Sequence, residues 1–238
     1  MHFSLSGAGA RGLVYTGFFE ELSEHEVGEK QIAKITSMSG VSAGALVCTP
    51  LAMHVNPTEI RQRTEHAGLS KLTYYPRALA TWLGWTSGMY DGHTIYNKLL
   101  NACEGKQLRI PLTIGVTEAT HMKQKCLLWN PGSSNAAVVN CAVASAAVPG
   151  IFAPRQVSPV GLAYDGGVKE STFAMQVVKN KIAQGEPVTL FYSGPWPGFR
   201  IDAGSDYRRI VNNWIDIVNV HGLEWIPKAL GPEFRFKD

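Results

Sequence analysis

The sequence predicts an α/β fold with a mainly parallel central sheet, and two observations carry this prediction. Short apolar runs rich in β-branched residues alternate along the chain with longer segments whose apolar residues recur at helical spacing. Glycine-rich turns separate these segments, and strands that alternate with helices bury a parallel sheet between helical layers. The chain has 238 residues, 45% of them hydrophobic, which is enough for one large domain with a sizeable core.

The individual elements follow from periodicity and from the positions of glycine and proline. Strands are expected at residues 2–6, 32–37, 111–117, 126–129 and 187–193. Helices are expected at residues 13–23, 43–55, 91–103, 135–147, 171–184 and 210–218. Pro50 lies inside the second of these helices and should bend or shorten it. A further helix start is expected at Pro57, directly after Asn56.

Residues 70–90 are unusually aromatic and carry few charges. One interpretation is a partly buried loop and helix that close the core, because apolar stripes usually belong to a core. The other is a mobile cover or an interfacial contact for an apolar substrate, with Trp82 and Trp85 at a lipid–water boundary. The sequence alone leaves both open.

Charge and cysteine content exclude several classes of protein. The net charge is +3, and Lys and Arg are scattered, so nucleic acid is not an expected partner. The four cysteines are too far apart for a zinc knuckle or a redox pair, so we expect reduced thiols and a cytoplasmic location. No ligand cluster indicates a metal or an organic cofactor. No apolar run is long enough to span a membrane, and a strand beginning at His2 leaves no room for a signal peptide.

The first motif with chemical meaning is the pentapeptide Gly40-Val41-Ser42-Ala43-Gly44. A Gly-x-Ser-x-Gly sequence between a strand and a helix is typical of a nucleophile elbow, in which the serine lies on a tight turn and the glycines relieve crowding. The serine hydroxyl then lies near the positive end of the following helix. We therefore predict Ser42 to be a nucleophile.

A glycine-rich loop lies between the first strand and the first helix and consists of Gly7, Ala8, Gly9, Ala10, Arg11 and Gly12. Its Gly-x-Gly-x-x-Gly spacing also fits dinucleotide binding, but the second predicted strand ends in Ser37-Met38-Ser39-Gly40 without the carboxylate that would hold a ribose. A glycine loop at a helix start also presents free backbone N–H groups to a developing anion, as an oxyanion hole requires.

The third motif is Asp165-Gly166-Gly167. Alone, it is typical of a simple turn in which an aspartate precedes glycines. Its occurrence together with the elbow and the glycine loop is rarely expected by chance.

In these motifs and their order the chain resembles the patatin-like phospholipases. The glycine loop, the elbow and Asp165-Gly166-Gly167 match the family's pattern, and the segment from Ala144 to Pro149, leading to Phe152, resembles its small-residue helix and proline. The resemblance covers residues 2–195. It implies a single three-layer α/β/α domain. Periodicity alone predicts that residues 196–238 form a C-terminal extension whose amphipathic helix packs on the core.

The resemblance further implies a lipid acyl hydrolase of the phospholipase A or esterase type. Ser42 would attack an ester carbonyl, Asp165 would act as general base without a histidine, and the glycine loop would stabilise the oxyanion. Ala8 replaces the usual middle glycine and is tolerated only where φ is negative. Arg11 is expected to stabilise the loop. The substrate would be a phospholipid or another acyl-ester lipid, reached by peripheral docking on a membrane.

Two alternatives remain open at this point. A histidine-assisted serine esterase would use His221, the only histidine after Asp165, or His93 or His121 if the fold brought either to the site. A protein that binds lipid or a partner without catalysis would keep the motifs but never react at Ser42.

Overall fold

The computed structural model describes residues 1–8, 12–65, 88–168 and 173–192, which adopt an α/β fold. The strands are β1 (His2–Leu5), β2 (Ser37–Val41), β3 (Gly88–Tyr90), β4 (Leu112–Glu118), β5 (Lys123–Trp129), β6 (Gly150–Phe152), β7 (Arg155–Val157), β8 (Gly161–Asp165) and β9 (Val188–Phe191). The helices are α1 (Leu13–Glu24), α2 (Glu26–Ile32), α3 (Ala43–Ala52), α4 (Pro57–Glu65), α5 (His93–Ala102), α6 (Asn135–Ser145) and α7 (Met175–Ala183).

Seven of the described strands form a mixed central sheet in the order β7-β8-β4-β2-β1-β9, with β5 also paired to β4. Strands β9, β1, β2 and β4 run parallel to one another. Strands β5 and β8 are antiparallel to β4, and β7 is antiparallel to β8. The sheet is thus parallel around β1 and β2 and antiparallel beyond β4, while β3 and β6 form a separate parallel pair.

The central strand β4 has one edge that two other strands share. Strand β5 pairs with β4 along its whole length, so β2 and β8 must both lie on the opposite edge. There β2 pairs with Leu112 to Gly115, and β8 pairs with Val116 to Glu118. Because β2 runs parallel to β4 and β8 runs antiparallel to it, the carboxyl ends of β2 and β8 point towards each other at the middle of β4.

Helices cover both faces of this sheet, as the predicted three-layer arrangement requires. On one face Phe3 and Leu5 of β1 belong to the main hydrophobic core, which includes Tyr15 of α1 and Cys48 of α3. On the other face Val188 and Leu190 of β9 pack with Val178 of α7. The predicted α/β fold with flanking helices is confirmed.

Several element boundaries differ from those expected from the sequence. The second strand is not at residues 32–37 but at Ser37–Val41, and the residues before it form the short helix α2. Helix α3 ends at Ala52, two residues after Pro50, instead of continuing to residue 55. The short strands β3, β6, β7 and β8 had no clear apolar alternation and were not expected.

Some predictions concern residues outside the described part of the chain. These are the aromatic segment 70–87 with Trp82 and Trp85, the helix at 210–218, His221 and the extension 196–238. Among the described residues no helix is long and apolar enough to cross a membrane. All four cysteines are free thiols, and Cys48, Cys103 and Cys141 are buried.

Candidate active site

The Gly-x-Ser-x-Gly motif forms a sharp turn between β2 and α3, as predicted. Ser42 follows the last residue of β2 and caps the first turn of α3, with φ 54° and ψ −125°. A positive φ in a residue with a Cβ is strained and is kept only where the surrounding structure fixes it. The close approach of helix and strand explains the glycines, because a Cβ on Gly40 would lie 2.6 Å from the backbone of Gly44.

Asp165 reaches Ser42 because the ends of β2 and β8 meet at β4. Val41 pairs with Gly115, and Asp165 pairs with the next residue of β4, Val116. The hydroxyl of Ser42 lies close enough to the carboxylate of Asp165 to lower the pKa of that carboxyl. Two residues that are 123 positions apart in the sequence are thus placed side by side by the register of one strand.

Both side chains are buried, and burial changes the chemistry of the carboxylate. Desolvation raises the pKa of Asp165 above its ordinary value of 3.8, while hydrogen bonds from the Ser42 hydroxyl and from the amide of Gly167 partly oppose this rise. The Gly167 amide donates to Oδ1 at 2.7 Å. A raised pKa makes the carboxylate a stronger base, as a partner for a serine hydroxyl requires.

The turn after Asp165 packs against the middle of β4. A Cβ on Gly166 would lie 2.1 Å from the carbonyl oxygen of Gly115, so no larger residue fits there without a backbone shift. From β5, Nε2 of Gln124 donates to the carbonyl of Gly166 at 2.8 Å and to that of Phe173 at 3.1 Å. The Asp-Gly-Gly turn is therefore fixed to both strands that flank it.

The glycine loop lies beside the elbow where the structure describes it. A Cβ on Gly12 would lie 2.7 Å from Cβ of Ala43, the residue after Ser42. The loop begins at Gly7, whose carbonyl accepts from the hydroxyl of Ser6 at 3.1 Å. Ala8 does not have a positive φ, so the alanine is compatible with the loop backbone. Gly9, Ala10 and Arg11 lie outside the described residues.

No histidine contacts Ser42 or Asp165 in the part of the chain that the structure describes. His121 is exposed and lies 3.2 Å from Glu118. His93 is exposed at the start of α5, and its amide donates to Asp91. His2 is buried, but its ring is hydrogen-bonded to serines of β2.

One residue of the site was not singled out from the sequence. Ser145 ends α6, and its hydroxyl accepts from the amide of Ser42 at 2.8 Å and donates to the carbonyl of Gly115 at 2.5 Å. It lies in the small-residue segment before Pro149, and only that resemblance could have drawn attention to it. Among the described residues no group of three or more His, Cys, Asp or Glu side chains could hold a metal ion.

Comparisons with known proteins bear on the fold and on the family of this chain. The structure is similar to the crystal structure of VipD from Legionella pneumophila, with a TM-score of 0.52 and 14% identity over 87% of this chain and 52% of that chain. This chain thus corresponds to about half the length of that protein, and at this identity the similarity concerns the fold alone. No curated protein matches the sequence. The family model described as patatin-like phospholipase matches residues 3–178. Since this match covers most of the chain, the protein belongs to the patatin-like phospholipase family.

Proposed function

We propose that this protein hydrolyses fatty acyl esters of membrane lipids through a catalytic dyad of Ser42 and Asp165. The observation that carries the proposal is the meeting of β2 and β8 at β4, which brings the strained Ser42 next to the buried carboxylate of Asp165. Nucleophilic catalysis needs a hydroxyl with a base beside it. Here the serine has a strained backbone, Asp165 is the base, and the start of α3 lies beside the serine. The chain belongs to the patatin-like phospholipase family, and this membership supports a lipid ester as the substrate.

The proposed reaction has two steps. Oγ of Ser42 attacks the ester carbonyl carbon while Asp165 takes the hydroxyl proton, and the alcohol leaves with that proton when the tetrahedral intermediate collapses. In the second step water attacks the acyl-enzyme, and Asp165 accepts a proton from the water. The fatty acid is released, the proton returns to Oγ, and the dyad is restored.

The oxyanion would be stabilised by the glycine loop, Gly7 to Gly12. The amide of Ser42 already donates to Ser145, so it does not point freely towards a substrate. Gly12, the last residue of the loop, packs against Ala43 next to Ser42, and this contact supports the assignment of the loop amides as oxyanion donors. Backbone donors of this kind typically contribute about 10²–10³-fold each to the rate.

Peripheral docking on a membrane forms a second part of this proposal. Four of the exposed large apolar side chains lie within a few residues of the site: Val14, Val148, Ile151 and Val168. Val14 lies two residues after Gly12, and Val168 directly follows Gly167. Val148 directly follows Ala147, whose carbonyl accepts from the Asp165 amide. Apolar groups around the proposed nucleophile would enter the lipid surface from which the ester must be taken.

The catalytic part is tested by release of free fatty acid from mixed phospholipid vesicles. We expect Ser42→Ala and Asp165→Asn each to lower kcat by about 10⁴-fold or more, because the two side chains act as a unit. Ser39→Ala is the matched control, since it removes another buried hydroxyl from β2 without touching the dyad. Circular dichroism checks that each variant is folded. Folded variants with wild-type rates would refute the proposal, as would an inactive wild type that a fluorophosphonate never labels at Ser42.

The docking part is tested with Val148→Glu combined with Ile151→Glu. We expect weaker vesicle binding and lower turnover of vesicle lipid, with little change in kcat for a short soluble ester. Ile182→Glu is the matched control, because Ile182 is equally exposed but lies on α7, at the opposite end of the sheet from the site. Unchanged vesicle binding in the double variant would contradict the docking proposal.

A further inference from the structure

Ser145 connects three segments that are far apart in the sequence. Its hydroxyl accepts from the amide of Ser42 and donates to the carbonyl of Gly115, as described above. Its own carbonyl accepts from the amide of Gly166 at 3.2 Å. The elbow, the middle of β4 and the turn after Asp165 are therefore tied to one another through a single residue at the end of α6.

The side chain of Ser145 is completely buried, and so are both of its hydroxyl contacts. It cannot reach a substrate, so it is neither a second nucleophile nor an oxyanion donor. Its effect on a reaction must pass through the groups that it holds. Of these groups, the backbone of Ser42 and the turn after Asp165 belong to the proposed dyad.

The contact with Ser42 is made where the backbone is strained. A positive φ at a serine persists only when neighbouring groups fix it, and the amide hydrogen bond is the side-chain contact that fixes the Ser42 backbone from outside its own helix. Without the Ser145 hydroxyl, a buried amide and a buried carbonyl would both lose their partner. The simplest relief is a rotation of the elbow, which would carry Oγ of Ser42 away from Asp165.

We propose that Ser145 is a positioning residue that holds Ser42 in the conformation needed for nucleophilic attack. This inference rests on the proposed hydrolase function and deepens it. The hydroxyl of Ser145 also accepts the hydrogen bond of the Ser42 amide, so the donors to the oxyanion must come from elsewhere in the site. Displacement of a reacting group by about 1 Å typically costs about 10²-fold in rate.

The test compares Ser145→Ala with Ser145→Thr, which retains the hydroxyl, and with Thr49→Val. Thr49 is a matched control, because it is a fully buried hydroxyl on α3 that donates to Ala45 at 2.8 Å within the same helix and does not touch Ser42. Three quantities are measured on folded protein: kcat and KM for a short soluble ester, the rate of fluorophosphonate labelling at Ser42, and hydrogen exchange of the Ser42 amide.

We expect Ser145→Ala to lower kcat and the labelling rate together by about tenfold to hundredfold, with KM changed less than about twofold. The Ser42 amide should exchange at least about tenfold faster, because its acceptor is lost. Ser145→Thr should recover most of the rate, and Thr49→Val should change none of the three quantities beyond about twofold. A purely structural hydroxyl would lower thermal stability and leave kcat of the folded protein intact.

The two proposals fail in different ways. A wild type that neither hydrolyses esters nor is labelled refutes the hydrolase proposal, and Ser42 amide exchange then decides whether Ser145 holds the elbow. Wild-type kcat in folded Ser145→Ala, or unchanged exchange of the Ser42 amide, overturns the role of Ser145 while leaving the dyad standing. A rate loss in Thr49→Val equal to that in Ser145→Ala also overturns it.

Discussion

Two buried polar clusters lie along β2 and just beyond its carboxyl end, and they are built in opposite ways. The His2 cluster consists of His2, Ser4, Ser37 and Ser39, and the site cluster consists of Ser42, Asp165 and Ser145. In the His2 cluster the imidazole is bonded to Ser37 at 2.8 Å and to Ser39 at 2.9 Å, and Ser39 donates to Ser4 at 2.8 Å. All four residues are in regular strands, and each is buried.

The site cluster is neither regular nor electrically neutral. Ser42 has a positive φ, and Asp165 is a carboxylate that burial makes harder to ionise. The His2 cluster therefore has the features of a stabilising network, whereas the site cluster has features that cost stability and favour reactivity. This difference indicates which buried polar residues serve the fold and which serve the proposed chemistry.

The largest effect on stability is expected from acidification of the His2 cluster. Burial, with smaller contributions from Lys181 and the N-terminal ammonium, lowers the pKa of His2 from 6.5 to about 4, although Glu186 opposes the shift. Below pH 6.5 the unfolded chain binds a proton that the folded protein excludes, so stability present above pH 6.5 is lost as the pH falls to 4. This loss amounts to about 3 kcal/mol.

Denaturant unfolding at pH 7, 5.5 and 4.5 measures this loss. The variant His2→Gln removes the titrating group and should flatten the curve in this window, even if it lowers stability at pH 7. A variant with the same pH dependence as the wild type would show that His2 is not the cause.

The next largest effect on stability is expected from a side chain added where β2 and β8 meet at β4. Gly166→Ala would place a Cβ against the Gly115 carbonyl and should destabilise the fold by about 1–3 kcal/mol. Gly17→Ala is the control, because no atom lies within 4 Å of the new Cβ on α1 and the helix should gain about 0.5–1 kcal/mol. Equal effects at the two positions, measured by urea unfolding, would show that β2, β4 and β8 do not meet as described.

The smallest effect on stability is expected from relief of the backbone strain at Ser42. Ser42→Gly and Ser42→Ala both remove the nucleophile, but only glycine relieves the positive φ. We expect the glycine variant to be more stable than the alanine variant by about 1 kcal/mol, after allowing for the larger chain entropy of glycine. Equal thermal stability of the two would mean that the elbow is not strained.

The motifs could be predicted from the sequence because their chemistry is local. The elbow needs small residues around one serine, and the turn after Asp165 needs glycines, so both are visible as short patterns. The second strand was placed too early, because Ser37 and Ser39 are polar residues on a buried face and break the expected apolar pattern. Their hydroxyls find partners only across the strand pair, in His2 and Ser4 of β1, and His2 is 35 residues away from Ser37.

The meeting of β2 and β8 on one edge of β4 could not be predicted from the sequence. It depends on the register of three strands, and β8 is only five residues long. Ser145 was missed for the same reason, since its hydroxyl contacts are made with residues 103 and 30 positions away. Long-range hydrogen bonds leave no local pattern, so these residues become visible only when the fold is known.

The central claim is that Ser42 is a nucleophile activated by Asp165. Its most direct test is the rate at which a fluorophosphonate labels Ser42, measured by intact mass and peptide mapping in wild type and in folded Asp165→Asn. We predict a single adduct at Ser42 in the wild type, formed at a rate that rises with pH through a midpoint above the ordinary aspartate value of 3.8. Asp165→Asn should remain unlabelled. Labelling of Asp165→Asn at the wild-type rate, or a wild type that stays unlabelled at every pH, would contradict the account.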